Sequence, residues 1–163
     1  MADGTIITSV TDALAICSNI IESANSEVVY ISPPSLLVLG SQFGLTDKIK
    51  LFIQGAGRIR GIADFSYQYK DDIMRESLDI GTDVRHVSQY QGIFMLVADK
   101  QESISSMSID VERLSIDAPL VALWSDDITY SEYLMSTFEL VWKQAIPAVE
   151  RIEELLKEGP LSI

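Results

Sequence analysis

Between Gly92 and Asp99 the chain reads Gly-Ile-Phe-Met-Leu-Val-Ala-Asp, with an apolar side chain at every position from Ile93 to Ala98. Successive residues of a strand point to opposite faces of its sheet, so a strand of this composition is buried on both. Such a strand cannot sit in a sheet with one face in water. The chain around it must supply helices for both sides, and it must end the strand at Asp99, where an acid arrives at the sheet edge.

The remaining segments meet that demand. From Ser9 to Ala24, apolar residues at Val10, Ala13, Leu14, Cys17, Ile20, Ile21 and Ala24 recur at helical spacing, and Ser9 followed by Asp12 resembles a capping box with Asp in place of Glu. Glu27–Ser32 is a β-branched strand, which Pro33-Pro34 ends while opening a short helix. Thr46 is expected to cap a helix with Ile49, Phe52, Ile53 and Ala56 on one face, Gly55 and Gly57 to stop it, and Arg58–Phe65 to be the next strand. Gly55-x-Gly57 is not a phosphate-cradling loop, because Arg60 stands where a third glycine is needed and no helix follows directly. A helix over 67–80 buries Ile73, Met74 and Leu78 and stops at Gly81. Strands follow at "DVRHVS", "GIFMLVAD", "ESISSMSI" and "PLVALWS".

Strands separated by helices predict an α/β fold, and the run of successive strands near the end predicts a mixed sheet flanked by helices. A long C-terminal helix, Ser131–Glu158, closes the chain, with Pro147 inside it to kink or split it. Beyond Pro147 the segment "AVERIEELLKEG" carries a narrow apolar stripe suited to a partner helix. The organisation expected is an α/β domain over 1–145 and a C-terminal helix and tail over 146–163.

Composition narrows the function. The 163 residues fit one domain, and 47% hydrophobic with 22% charged residues is globular rather than disordered. The net charge of −12 is a poor footprint for direct nucleic-acid binding, which rests on phosphate neutralisation. No apolar segment approaches the ~20 residues of a membrane helix, and no basic region precedes an apolar run at the N-terminus, so a soluble, cytoplasmic protein is expected. A single cysteine, Cys17, excludes an internal disulfide, and its place on an apolar helix face makes it a core residue.

Candidate site residues are few. His86 is the only histidine, which excludes single-chain mechanisms needing two, and no Ser/His/Asp or metal-ligand spacing stands out, so no catalytic residue, metal or cofactor is assigned. Asp99 is expected to cap the turn after its strand, and Asp126-Asp127 to favour the positive end of the following helix. Arg58 and Arg60, two apart on one strand, project from one face, and the neighbouring strand brings Arg85 beside His86. Two arginines on an inner strand need partners. Internal acids are one solution; a small anionic ligand held by Arg58, Arg60, Arg85 and His86 at the sheet edge is the other.

With these elements placed, the order of helices and strands through "RIRGIADF", "DVRHV" and "GIFMLVAD" resembles one half of the phospholipase D-like fold, a half that also serves as the effector-binding part of TrmB-like transcription regulators. In phospholipase D enzymes the strand carries HxKxxxxD. Counting back from Asp99, Gly92 stands at the histidine place and Phe94 at the lysine place, so the resemblance implies the architecture without the phosphodiesterase. "RIRGIADFSYQYKDDIMRESLDIGTDVRHV" and "FELVWKQAIPAVERIEELLKEG" also resemble the sensory region ahead of the kinase core in thaumarchaeal histidine kinases. Trp142, Lys143, Ala145, Ile146, Pro147, Ala148, Arg151, Ile152 and Glu154 carry that likeness. It implies a non-enzymatic sensor, homodimeric, passing a ligand signal through its C-terminal helix to a histidine kinase or regulator partner.

Overall fold

The computed structural model describes residues 4–65, 71–89, 92–107 and 109–158. In chain order the elements are β1 (Gly4–Ser9), α1 (Val10–Ser23), β2 (Glu27–Ile31), α2 (Pro34–Phe43), α3 (Leu45–Gln54), β3 (Arg58–Ala63), α4 (Asp71–Asp79), β4 (Asp83–His86), β5 (Phe94–Ala98), β6 (Glu102–Ser106), β7 (Pro119–Ser125), α5 (Ile128–Gln144), β8 (Ile146–Pro147) and α6 (Ala148–Glu158). The strands form one mixed sheet in the order β1-β7-β6-β5-β2-β3-β4-β8. β2, β3 and β4 run parallel; every other pairing is antiparallel.

β5 lies between β6 and β2, and all five of its residues are buried. Phe94, Leu96 and Ala98 pack with Val10, Leu14, Cys17 and Ile21 of α1 on one face. Met95 and Val97 pack with Leu134, Phe138, Val141 and Trp142 of α5 on the other. The two-sided cover demanded by the sequence is present. A third cluster joins α4 and α6 to the far end of the sheet, through Met74, Val84, Phe65, Ala148 and Leu155. None of the described helices is long and apolar enough to cross a membrane.

Local signals explain the boundaries. Ser9 Oγ accepts from Asp12 N at 3.1 Å, and Asp127 accepts from Tyr130 N at 2.8 Å, capping α1 and α5 as expected. Pro147 splits the C-terminal helix: α5 stops at Gln144, and Ile146–Pro147 pair with His86 and Arg85 before α6 begins. A proline suits that place because β8 is an edge strand, where its missing N–H breaks no central ladder.

Two expectations are corrected and one strand is added. Gly4–Ser9, of which the sequence assigns only Ser9, as a helix cap, forms edge strand β1 against β7. Thr46 does not cap α3: the N-cap is Gly44 at φ 102°, and the Thr46 hydroxyl instead donates to Glu76 at 2.7 Å. Asp99 does not cap its own turn. Its carboxylate accepts from the backbone N–H groups of Asn25, Ser26 and Glu27 at 2.7–2.9 Å, tying the β5 end to the start of β2. Burial opposes its charge, but the three N–H groups outweigh that and hold it below the usual carboxylate range. Trp142 lies on α5 and is buried against the sheet. The first turn expected for the helix over 67–80 falls on 67–70, outside the described residues; the rest is α4.

β3 touches β2 closely at one point. Gly61 stands opposite Tyr30 in the parallel register, and a Cβ at Gly61 would overlap the Tyr30 ring, which is itself buried. Gly61→Ala should therefore destabilise the fold by about 1–3 kcal/mol through overpacking, read as a lower denaturant midpoint at unchanged m-value. Trimming Tyr30 to Val in the same chain should recover part of that loss; equal midpoints for wild type and Gly61→Ala would show that the ring has room to move.

Candidate functional site

The sheet presents three places where side-chain chemistry gathers. The first lies under α5. Arg60 projects from β3 into the space between α5 and β2, where it meets Glu27 at 3.2 Å and Glu139, and lies 5.0 Å and 5.3 Å from the ring centres of Phe138 and Trp142. Burial works against its charge, but the two carboxylates more than offset this, and in return the Arg60 hydrogen bonds hold Glu139 below its ordinary range. Arg85 lies 4.0 Å from the Trp142 ring centre and donates to the Trp142 carbonyl at 2.8 Å. Arg58, the most exposed of the three, stands 3.7 Å from Glu27 and 4.0 Å from Asp83. All three arginines do gather on one face, as their spacing requires. That face is the one α5 covers, and each guanidinium has protein partners there.

The second place is the carboxyl end of the parallel strands, where open α/β sheets bind their ligands. His86, at the end of β4, is buried. Its Nδ1 accepts from Phe65 N at 2.9 Å, so the ring proton of the neutral form sits on Nε2, which faces Ser88 Oγ at 3.3 Å. Arg151 of α6 donates from Nε to the Phe65 carbonyl at 3.0 Å. One residue is thus held by its N–H from β4 and by its C=O from α6. Asp64, also buried, accepts from Gln89 N at 3.0 Å. His86 therefore does not join the arginines: it stands with Asp64, Ser88 and Arg151 at the strand ends, while Arg58, Arg60 and Arg85 lie on the face that α5 covers.

The third place is a cavity of about 70 Å³ between the sheet and helices α1 to α4. Its body is apolar, formed by Leu14, Cys17, Leu36 and Phe94 among others, and polar groups collect along α2, α3 and α4. There Glu76 Oε1 accepts from Ser41 at 2.8 Å and from Thr46 at 2.7 Å. Burial pushes the Cys17 thiol and the Tyr30 hydroxyl each up to about 12, so both stay protonated at neutral pH. Sequence reasoning missed this site. Ser41, Thr46 and Glu76 lie on three different helices, and only the α2–α3 turn at Gly44 and the docking of α4 bring them together.

Solved structures share this architecture. TrmBL2, an archaeal chromatin protein whose structure shows a novel mode of DNA binding, matches over 88% of this chain and 53% of its own, with a TM-score of 0.67 at 13% identity. Nuc, a phospholipase D family member from Salmonella typhimurium, matches over 90% of this chain and 98% of its own, with a TM-score of 0.68 at 10% identity. NucT from Helicobacter pylori matches over 90% and 99%, with a TM-score of 0.70 at 12% identity. The fold is phospholipase D-like. At these identities the likeness concerns the fold alone, and the chain spans about half the length of TrmBL2. No protein-family model matches the sequence, and no curated protein matches it either.

Within the phospholipase D-like fold, β5 is antiparallel to β2, so its start lies at the carboxyl end of the parallel strands. Gly92 just precedes it. A Cβ there would meet only Ile109 backbone atoms at 3.5 Å and 3.9 Å, ordinary contact distances, so the backbone leaves room for a first side-chain carbon. Phe94, two residues on, is buried in the α1-side core and lines the cavity.

His86 gives this end of the sheet a pH dependence. Burial lowers its pKa first, the Arg151 charge lowers it further, and Asp64 and Glu154 pull the other way without winning. A folded pKa below the unfolded ~6.5 means the unfolded chain binds the proton more readily, so the contribution is full above ~6.5 and is lost as pH falls toward the folded value. His86→Asn, whose amide oxygen can accept from Phe65 N in place of Nδ1, should flatten that fall. Melting temperature measured from pH 7.5 to 5 for both chains checks this; parallel curves would show that His86 keeps one charge state on unfolding.

Proposed function

We propose that this chain is a non-catalytic regulatory domain of the phospholipase D-like fold, an effector-binding module of the TrmB-like kind that responds to a small molecule held in its cavity. The observation that carries the reading is Phe94. At the place of the motif lysine the chain puts a ring into the apolar lining of a cavity, so the position that would bind a phosphate serves a hydrophobic site instead. Gly92 offers no nucleophile, and His86 has its Nδ1 engaged by the Phe65 N–H.

The regulator reading takes precedence over a histidine-kinase sensor because TrmBL2 shares the fold. TrmBL2 binds DNA; a chain with net charge −12 is poorly suited to do so directly, so in this reading the nucleic-acid contact belongs to a partner or to another segment. The output element is α6. Arg151 ties it to the strand ends, while Val149 and Leu156 stand 56% and 69% exposed, seven residues apart on its outer side. That stripe supports a homodimer, for which light scattering at micromolar concentration should give twice the 18.1 kDa chain mass; a mass that stays at one chain across concentrations removes the dimer.

The decisive test is activity. Bis(p-nitrophenyl) phosphate and single-stranded DNA should both remain uncleaved above a buffer control. Turnover that disappears in His86→Asn would overturn the non-catalytic reading in favour of a phospholipase D-type phosphodiesterase.

A further inference from the structure

The cavity has a specific chemistry that its size and its one acid define. This inference rests on the cavity being the effector site. At about 70 Å³, and with one water-sized group needing about 10–15 Å³, it holds about five such groups. Its body is built from Leu14, Cys17, Leu36 and Phe94, so a charged or strongly polar body would be desolvated there without partners. On the α2, α3 and α4 side stands Glu76. Its hydrogen bonds from Ser41 and Thr46 both fall on Oε1, and among the described residues Glu76 has no cationic partner. The two hydroxyls fix the carboxylate and leave Oε2 available. A lone carboxylate at the polar end of an apolar cavity matches a ligand with an ammonium head and a short hydrocarbon body, and the chain's net charge of −12 favours a cation's approach.

We infer that the cavity binds a short aliphatic primary amine, its ammonium on Glu76 and its hydrocarbon chain against Cys17 and Phe94. The arginines lie on the other face of the sheet, each with its protein partners; this site takes a cation. α3 is the element through which the ligand acts, since no residue of α3 is fully buried and its Thr46 hydroxyl shares the Glu76 carboxylate with the incoming head group.

The buried Cys17 thiol reports occupancy directly. It lines the cavity and is 3% exposed, so alkylation by iodoacetamide requires the site to open. The probes are n-butylamine, butan-1-ol and butyrate at matched ionic strength, on the full chain. At ten times its dissociation constant, n-butylamine should slow Cys17 alkylation about tenfold, as expected when the bound form does not open. Butan-1-ol should protect more weakly and butyrate not at all. Glu76→Gln keeps an acceptor for Ser41 and Thr46 but removes the charge, so it should lose the preference for amine over alcohol while its thiol stays shielded without ligand. Equal protection by amine and alcohol in wild type would overturn the ammonium assignment and leave the apolar site. No protection by any of the three would overturn the cavity as a binding site for molecules of this size; the phosphodiester assay decides separately whether the domain is catalytic.

Discussion

Two-sided burial of β5 is the constraint on which the rest of the molecule depends. A strand whose five residues are all buried cannot be satisfied by one layer of helices. It places α1 on one side and α5 on the other, and through them it decides where every other charged or polar group can go. Arg60 shows the cost of that arrangement. It leaves the sheet on the face that α5 covers, so its charge is tolerable only with Glu27 from β2 and Glu139 from α5 itself closing on it. The ion pair is the means by which a cation survives under the helix.

The same constraint gives the two faces different chemistry. On the α5 face the arginines, the two glutamates and the aromatic rings of Phe138 and Trp142 satisfy one another. On the α1 face packing is incomplete, and the space left open is the cavity with Glu76 beside it. Phe94 belongs to this second face because it alternates with Met95 along β5. The side-chain period of a strand thus puts the Phe94 ring into the apolar lining of the cavity.

Much of the fold was legible because it is written in local periodicity and in punctuation. Ser9, Pro33-Pro34, Gly81 and Pro147 mark element ends by chemistry that acts over three or four residues, and each marks one in the structure. Gly4–Ser9 escaped because "GTIITS" is short and gains its identity as a strand from β7, more than a hundred residues away. Thr46 and Asp99 looked like caps of their own segments; both spend their hydrogen bonds on distant ones. The grouping of Arg58, Arg60 and Arg85 followed from strand alternation, whereas the identity of their partners did not, since Glu139 lies on a helix whose docking only the folded chain defines. The cavity was illegible for the same reason: it is a property of how four helices fail to fill a space.

β1 closes one end of the sheet with an outer edge that no described strand pairs. Its sequence, Gly-Thr-Ile-Ile-Thr-Ser, has neither the charges nor the proline that commonly blunt such edges. Among the described residues, what opposes pairing of two such edges is the field of the whole molecule. A net charge of −12 repels at long range in dilute buffer, but added salt shortens that reach to roughly 8 Å at physiological strength and roughly 3 Å at molar strength. Pairing of β1 edges between molecules is accordingly opposed in dilute buffer and favoured by added salt.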